Sequence, residues 1–304
     1  MCQPQAFGKS NEGSSVKHDY SLAHLTVLSL SPPQVVEVAE RTGYRYVSLR
    51  LTKVTQSERL YDLAGDKALM RETKARLADT GVAVLDTELF RMDPSTGAEG
   101  FAAALDATAE LGAGNIIAQV PDPDRKRATE RFAKLCELAK PLGIFVNLEF
   151  PHWTETGDLS TAARIVRAAG HSNAGILVDT LHFSRSNSSL EELASLPREW
   201  FRFAHVCDAA KEVPPTMAGI IRTARDERQF PGEGGIDIKS ILACIPRDIP
   251  YSLEIPRVSL TKAVGPEEVA RLAICVARSY FDEPSEDTRM AAQNTKPKLA
   301  AKSA

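Results

Sequence analysis

The sequence predicts an α/β protein, a single (β/α)₈ TIM barrel with disordered N- and C-terminal tails. Three observations point there. Strand and helix patterns alternate eight times between about residues 19 and 282. A (β/α)₈ barrel takes about 250 residues, which a 304-residue chain accommodates as one domain with loose ends. Four of the strands end in a carboxylate or an imidazole on one face, and strand ends are where such barrels carry chemistry. An open doubly wound sheet is the competing arrangement, but no GxGxxG follows the first strand.

Residues 1–18 are polar and rich in Gly and Ser, the composition of a disordered arm. Strand one is expected at about Ser21–Ser29. The first helix follows, with Pro32 and Pro33 at its start and Gly43 at its end. Strand two is Tyr46–Leu51, and the next helix is Asp66–Thr80, closed by Gly81. Strand three is Val82–Leu89, with a helix to about Leu111; strand four is Asn115–Val120, with a helix over Asp124–Leu142. Strand five is the run Gly143–Phe150, followed by a helix at about Leu159–Ala169. Strand six is Gly175–Asp179, with a short helix near Leu190–Ser195, and strand seven is Phe201–Val206. A long connection runs to Gly235, then a helix covers about Ile238–Ile245. Strand eight is Tyr251–Ile255, and the last helix is Pro266–Tyr280. Residues 283–304 are polar and small again and are expected to be a disordered tail.

A hydrophobic fraction of 43% suffices for a sizeable core. The net charge of -3 and the absence of a basic run give no attraction to nucleic acid or to an acidic membrane. The cysteines number five, with no CxxC among them, which argues against a disulfide framework and for a reducing compartment. No stretch approaches ~18 apolar residues, the length of a membrane span, and the N-terminus shows no apolar run of a secretory signal. A cytoplasmic location is the expectation.

Strand periodicity places the candidate chemistry. In Phe145–Phe150 alternation puts Phe145, Asn147 and Glu149 on one face and Val146, Leu148 and Phe150 on the other. By the same parity Leu177 and Asp179 face inward, as do Phe203 and His205, and Ser252 and Glu254. Three carboxylates and an imidazole at one barrel mouth would repel strongly unless a cation lay between them. An O₃N ligand set suits Mn²⁺, Mg²⁺ or Co²⁺ and also accepts Zn²⁺.

At these residues the chain resembles a known family, the sugar phosphate isomerase/epimerase group of xylose-isomerase-like TIM barrels, which includes the ketose 3-epimerases. The resemblance spans about residues 20–282. Its carriers are Asn147-Leu-Glu149, Leu177-Val-Asp179-Thr-Leu-His182, His205-Val-Cys-Asp208, Pro231-Gly-Glu-Gly-Gly-Ile-Asp237 and Ser252-Leu-Glu254. It implies that Glu149, Asp179, His205 and Glu254 bind one divalent metal, often Mn²⁺, and that Glu149 and Glu254 are also the acid/base pair. It further implies substrate contacts from His182, three after the Asp, and from Glu155, six after the first Glu. An Arg is expected six after the metal His, where this chain has Lys211. Lys keeps the charge and loses the bidentate fork. Relatives of this kind are often dimers or tetramers, so a homo-oligomer is compatible with the resemblance.

Other polar residues near strand ends have two readings each. His152 is either a proton shuttle or a loop anchor against Trp153. Arg50, Glu88 and Gln119 lie near the tops of strands two to four and are candidates to face substrate, although Arg50 and Glu88 equally suit an ion pair capping the barrel. His24 reads as a satisfied core histidine. In the link Asp208–Gly235, Lys211, Arg222, Arg225 and Arg228 either meet an anionic substrate or coat a solvated helix; the three-residue spacing of the last three favours the solvated face for some. Pro231-Gly-Glu-Gly-Gly is expected to be a tight turn bordering the site rather than an anion nest.

The leading expectation is a divalent-metal-dependent isomerase or epimerase that works on a small keto-sugar or polyol derivative through an enediolate. The alternative is a metal-dependent lyase using the same site, as in the inosose dehydratases and 3-dehydroshikimate dehydratases of the resembled family. A zinc-dependent endonuclease shares the barrel and an Asp-x-x-His, but it needs a three-metal cluster with more histidines than this chain offers at strands two and three. A non-catalytic sensor that keeps the site as a ligand pocket is a further alternative.

Overall fold

A computed structural model describes residues 18–55 and 58–282. The predicted arm and tail fall outside these residues except for His18, which stacks on Tyr251 with ring centroids 4.3 Å apart. The strands are β1 Tyr20–Leu22, β2 Tyr46–Arg50, β3 Ala83–Arg91, β4 Asn115–Gln119, β5 Phe145–Leu148, β6 Ala174–Ile176, β7 Val178–Asp179, β8 Ala204–Val206 and β9 Tyr251–Leu253. All pair in parallel, in the order β6-β5-β4-β3-β2-β1-β9-β8-β7. The two ends of that order, β6 and β7, are halves of one stave interrupted only at Leu177. Eight staves therefore surround the axis, and the chain itself closes the ring.

Helices cover the outside, and their ends follow local chemistry. The helix Pro32–Thr42 starts where the Ser31 N–H donates to Gln34 Oε1 at 2.9 Å, and it ends at Gly43 in the left-handed region, with φ 86°. Asp66, Asp124 and Asp158 cap the helices Lys67–Thr80, Arg125–Ala139 and Leu159–Ala169 by accepting backbone N–H bonds.

The core divides as the alternation requires. Val146, Leu148, Ile176 and Val178 join the large cluster between staves and helices. Leu85, Leu89, Ile117, Leu177 and Phe203 form a separate cluster inside the barrel. This inner layer is the floor beneath the candidate site.

Three elements differ from the sequence expectation. The first strand stops at Leu22, and His24–Val27 form a 3₁₀ turn. Thr26 causes this: its Oγ1 donates to Leu253 O and accepts from Ile255 N, both at 2.8 Å, stapling the turn to the end of β9. Asp179 also starts a helix, Thr180–Arg185, by accepting from the N–H of Leu181 and His182. The long link after β8 contains a helix, Met217–Asp226, capped by Thr216.

Candidate metal centre

Glu149 directly follows β5, Asp179 ends β7, His205 is the middle residue of β8 and Glu254 directly follows β9. The register sets Asp179 beside His205 and His205 beside Ser252, so the side chains converge at one mouth. Each offers one ligand atom, and these atoms lie within 4.8 Å of one another. His205 Nδ1 is 3.3 Å from Glu254 Oε2, 3.6 Å from Glu149 Oε1 and 3.8 Å from Asp179 Oδ2. All four residues are buried, and neither ring nitrogen of His205 has a hydrogen-bond partner.

Arg228 completes the centre. It is buried, its Nη1 donates to Asp179 Oδ2 at 2.6 Å, and its Nη2 lies 2.7 Å from Glu254 Oε2. Its Nε donates to Ala224 O at 2.8 Å. The charges are strongly interdependent. Burial opposes ionised Glu254, but His205 and Arg228 outweigh it and hold the carboxyl well below the usual range. Burial likewise opposes charge on His205, and Glu254 and Glu149 push its pKa well up. Three carboxylates against one guanidinium leave two negative charges when His205 is neutral, which is the complement of a divalent cation. A buried imidazole lying against three carboxylates, with no well-formed hydrogen bond from its ring nitrogens, leaves orphaned groups that a cation would satisfy. The residues fit such an ion.

A cavity of about 410 Å³ opens above the centre. Of the four candidate ligands, Glu149 and Glu254 line it, and Asp179 and His205 do not. Among the other predicted contact residues, His182, Arg50 and Gln119 line it too. Gln119 Nε2 donates to Glu149 Oε2 at 2.6 Å and fixes that carboxylate. Arg50 is held in a buried network, 2.7 Å from Glu58 and 3.3 Å from Glu88, so it caps the barrel and faces the cavity at once. His152 stands behind His182, with their Nδ1 atoms 3.4 Å apart and its ring edge-on to Trp153. Burial, then His182, pushes the pKa of His152 down to about 3, so it is neutral. His24 is satisfied: Nδ1 accepts from Arg50 N at 2.9 Å, and Nε2 meets Leu30 O at 3.1 Å.

Glu155 and Lys211 are not brought to the cavity. Glu155 is exposed, because Thr156 next to it turns inward to donate to Val120 O at 2.8 Å. Lys211 is exposed on the outer rim, where its carbonyl accepts from Arg185. The Gly-rich turn already has a resident anion: the Asp208 carboxylate accepts from the N–H groups of Gly232, Gly234 and Ile236 at 3.0 Å each, and from Ala209 at 2.8 Å. A Cβ on Gly234 would lie 2.2 Å from Ala209 O, so only glycine fits there.

Sequence reasoning missed the place of Arg228 and the part played by Glu58. The helix ends at Asp226, so the three-residue spacing no longer applies at Arg228. The missed signal for Arg228 was its position two residues before Phe230-Pro231, outside the helix.

A parallel barrel with four buried residues able to hold a metal ion at its C-terminal mouth, beside a cavity, defines the class. The model of the xylose isomerase-like TIM barrel family matches residues 36–280, and the chain belongs to that family. It is 29% identical to an inosose isomerase of Bacillus licheniformis over 164 residues, 51% of this chain and 56% of that protein. It is 29% identical to a 3-dehydroshikimate dehydratase of Pseudomonas aeruginosa over 111 residues, 36% of this chain and 17% of that protein. The matches thus span about half the length of the inosose isomerase and a minor part of the dehydratase. Among solved structures, the IOLI protein with a bound zinc atom superposes with a TM-score of 0.71 at 20% identity, covering 87% of this chain and 100% of that one. A D-allulose 3-epimerase of Methylomonas sp. superposes with a TM-score of 0.62 at 16% identity, covering 88% and 99%. At these identities the structures establish the fold.

Proposed function

We propose that this chain is a divalent-metal-dependent isomerase or epimerase of a small keto-sugar or polyol derivative, with Glu149 and Glu254 as its acid/base pair. The observation that carries this reading is the division of the four ligands: the two glutamates line the cavity, and Asp179 and His205 do not. A divalent cation held by the four would supply Lewis-acid polarisation of a substrate carbonyl. Mn²⁺ is our assignment, on the predominance of oxygen donors.

The chain's own residues then move the proton. One glutamate takes it from the carbon beside the carbonyl, which gives an enediolate, and the other returns a proton to the opposite face or to the neighbouring carbon. Gln119 and Arg228 fix the two carboxylates, so little reorganisation precedes transfer. His182, buried and aimed into the cavity, is placed to hold a substrate oxygen.

Similarity to the dehydratase supports a second outcome. If a leaving group sits β to the carbonyl, the same proton removal ends in elimination. Turnover in D₂O separates the two: solvent deuterium in a product of unchanged formula marks an isomerase, and loss of water marks a lyase. Glu254→Gln should lower turnover by roughly 10²- to 10⁴-fold; near wild-type turnover would overturn the assignment.

A further inference from the structure

We propose that Arg91 and Arg225 form an anion subsite in the cavity, and that the substrate is a small keto-polyol carrying a carboxylate or a phosphate. This deepens the proposed function and rests on it for the chemistry.

Five arginines line the cavity: Arg50, Arg59, Arg91, Arg225 and Arg228. Two of them are neutralised in place. Arg50 lies between Glu58 and Glu88, and Arg228 between Asp179 and Glu254. Arg59 is exposed and stacked over the Tyr61 ring at 4.6 Å. Arg91 and Arg225 are different. Both are half-buried, both line the cavity, and no carboxylate among the described residues lies within ion-pair distance of either. Asp226 borders the same cavity and is exposed to solvent.

The two guanidiniums come from separate elements, the end of β3 and the last turn of the helix Met217–Asp226. Burial lowers the pKa of Arg225, the charges of Arg91 and Arg50 lower it further, and the carboxylates of Glu58 and Asp226 offset this only in part. Two unpaired, part-desolvated guanidiniums converging on a cavity are the arrangement that recognises an oxyanion through charge-assisted, forked hydrogen bonds.

The subsite is also tied to the reacting end. Arg91 Nη1 donates to Gln119 Oε1 at 3.3 Å, and Gln119 Nε2 donates to Glu149 Oε2 at 2.6 Å. Two side chains, Arg91 and Gln119, therefore link the proposed anion to an acid/base glutamate. An oxyanion seated on Arg91 would fix the distance from the substrate's charged end to Glu149. A neutral ketose would meet this wall only through hydroxyl oxygens, with no charge to match it.

The test is a direct binding measurement on divalent-ion-loaded protein by calorimetry, with matched probes. Shikimate is compared with its methyl ester, and ribulose 5-phosphate with ribulose. In the wild-type protein the charged member of at least one pair should bind at least about tenfold tighter. The pair that shows this identifies carboxylate or phosphate. Arg91→Gln and Arg225→Gln should each reduce that advantage to within about threefold while leaving the thermal midpoint unchanged. The variants separate an arginine subsite from attraction to the metal itself. Equal affinity for charged and neutral members of both pairs, or an advantage that survives both substitutions, overturns the proposal. Turnover is not the readout, so the preference stands or falls independently of the isomerase reading; Glu254→Gln should lose turnover and keep the preference.

Discussion

Replacing Arg228 by Met tests whether the centre is built around a fixed protein cation and a second, exchangeable one. The guanidinium is almost fully buried and contacts Asp179 at 2.6 Å and Glu254 at 2.7 Å. Removing one partner of a buried ion pair costs about 3–5 kcal/mol, because a buried charge is left uncompensated. Arg228 serves two carboxylates that share His205 as their remaining cation, so their losses overlap rather than add. In metal-free protein the loss should therefore be about 3–5 kcal/mol. With saturating Mn²⁺ a cation faces both carboxylates again, and the loss should shrink toward the ~1 kcal/mol of the missing hydrogen bond to Ala224 O. By linkage the difference of about 2–4 kcal/mol is tighter ion binding by the variant. Urea unfolding of wild type and Arg228→Met, each in chelator and in Mn²⁺, measures the four quantities. A loss below about 1 kcal/mol in chelator, or the same loss in both conditions, would refute the reasoning.

Two further outcomes follow from buried groups. Asp86 is fully buried, accepts from Ser48 Oγ at 2.7 Å, and leaves its Oδ1 without a partner. Burial pushes its pKa up to about 7, against the counter-effect of His205. Because the folded value is raised for an acid, the unfolded chain releases this proton first, and stability is lost as pH rises from about 4 to about 7. Asp86→Asn should be more stable than wild type at pH 8 by up to about 4 kcal/mol and close to it at pH 4, as read by urea melts; an equal difference at both pH values contradicts the assignment. Asp208→Ala strips the acceptor from four backbone N–H groups. It should cost about 2–4 kcal/mol and speed hydrogen exchange at Gly232, Gly234 and Ile236 above all; unchanged protection there would show that the turn holds without its carboxylate.

Much of the site was legible because strand alternation is rigid. A period of two fixes which residue of each stave faces inward, so Glu149, Asp179, His205 and Glu254 could be grouped before any coordinates, and they are the four whose ligand atoms converge. The separation of Val146 and Leu148 from Leu177 and Phe203 into two clusters follows the same parity. Connections carry no such period. Lys211 takes its position from the Asp208-held turn, which carries it to the rim. Arg228 lies past the end of its helix and turns into the barrel. Glu58 sits in a loop, and it became visible only through its 2.7 Å contact to Arg50. The first strand stops short of Ser29 because the Thr26 hydroxyl bonds the backbone of Leu253 and Ile255 and draws the chain into a turn.

The chain's net charge of -3 and the cationic cavity wall are consistent with each other, because they act at different ranges. Exposed charges are screened over about 8–10 Å at ordinary ionic strength. A long polyanion samples the whole surface, and the overall acidic balance disfavours it. A small anion inside a cleft meets only the walls. There Arg50 lies against Glu58 and Glu88, Arg228 lies against Asp179 and Glu254, and Glu149 is held by Gln119. Arg91 and Arg225 have no carboxylate within ion-pair distance among the described residues, so the patch of wall they form is locally positive although Glu149 and Asp226 line the same cavity, and low-dielectric walls strengthen its effect at short range. Composition can thus argue against a long polyanion and still be silent about the charge of a small molecule in the barrel mouth. On the proposed reading, that charge is met by the arginines the fold leaves without a carboxylate.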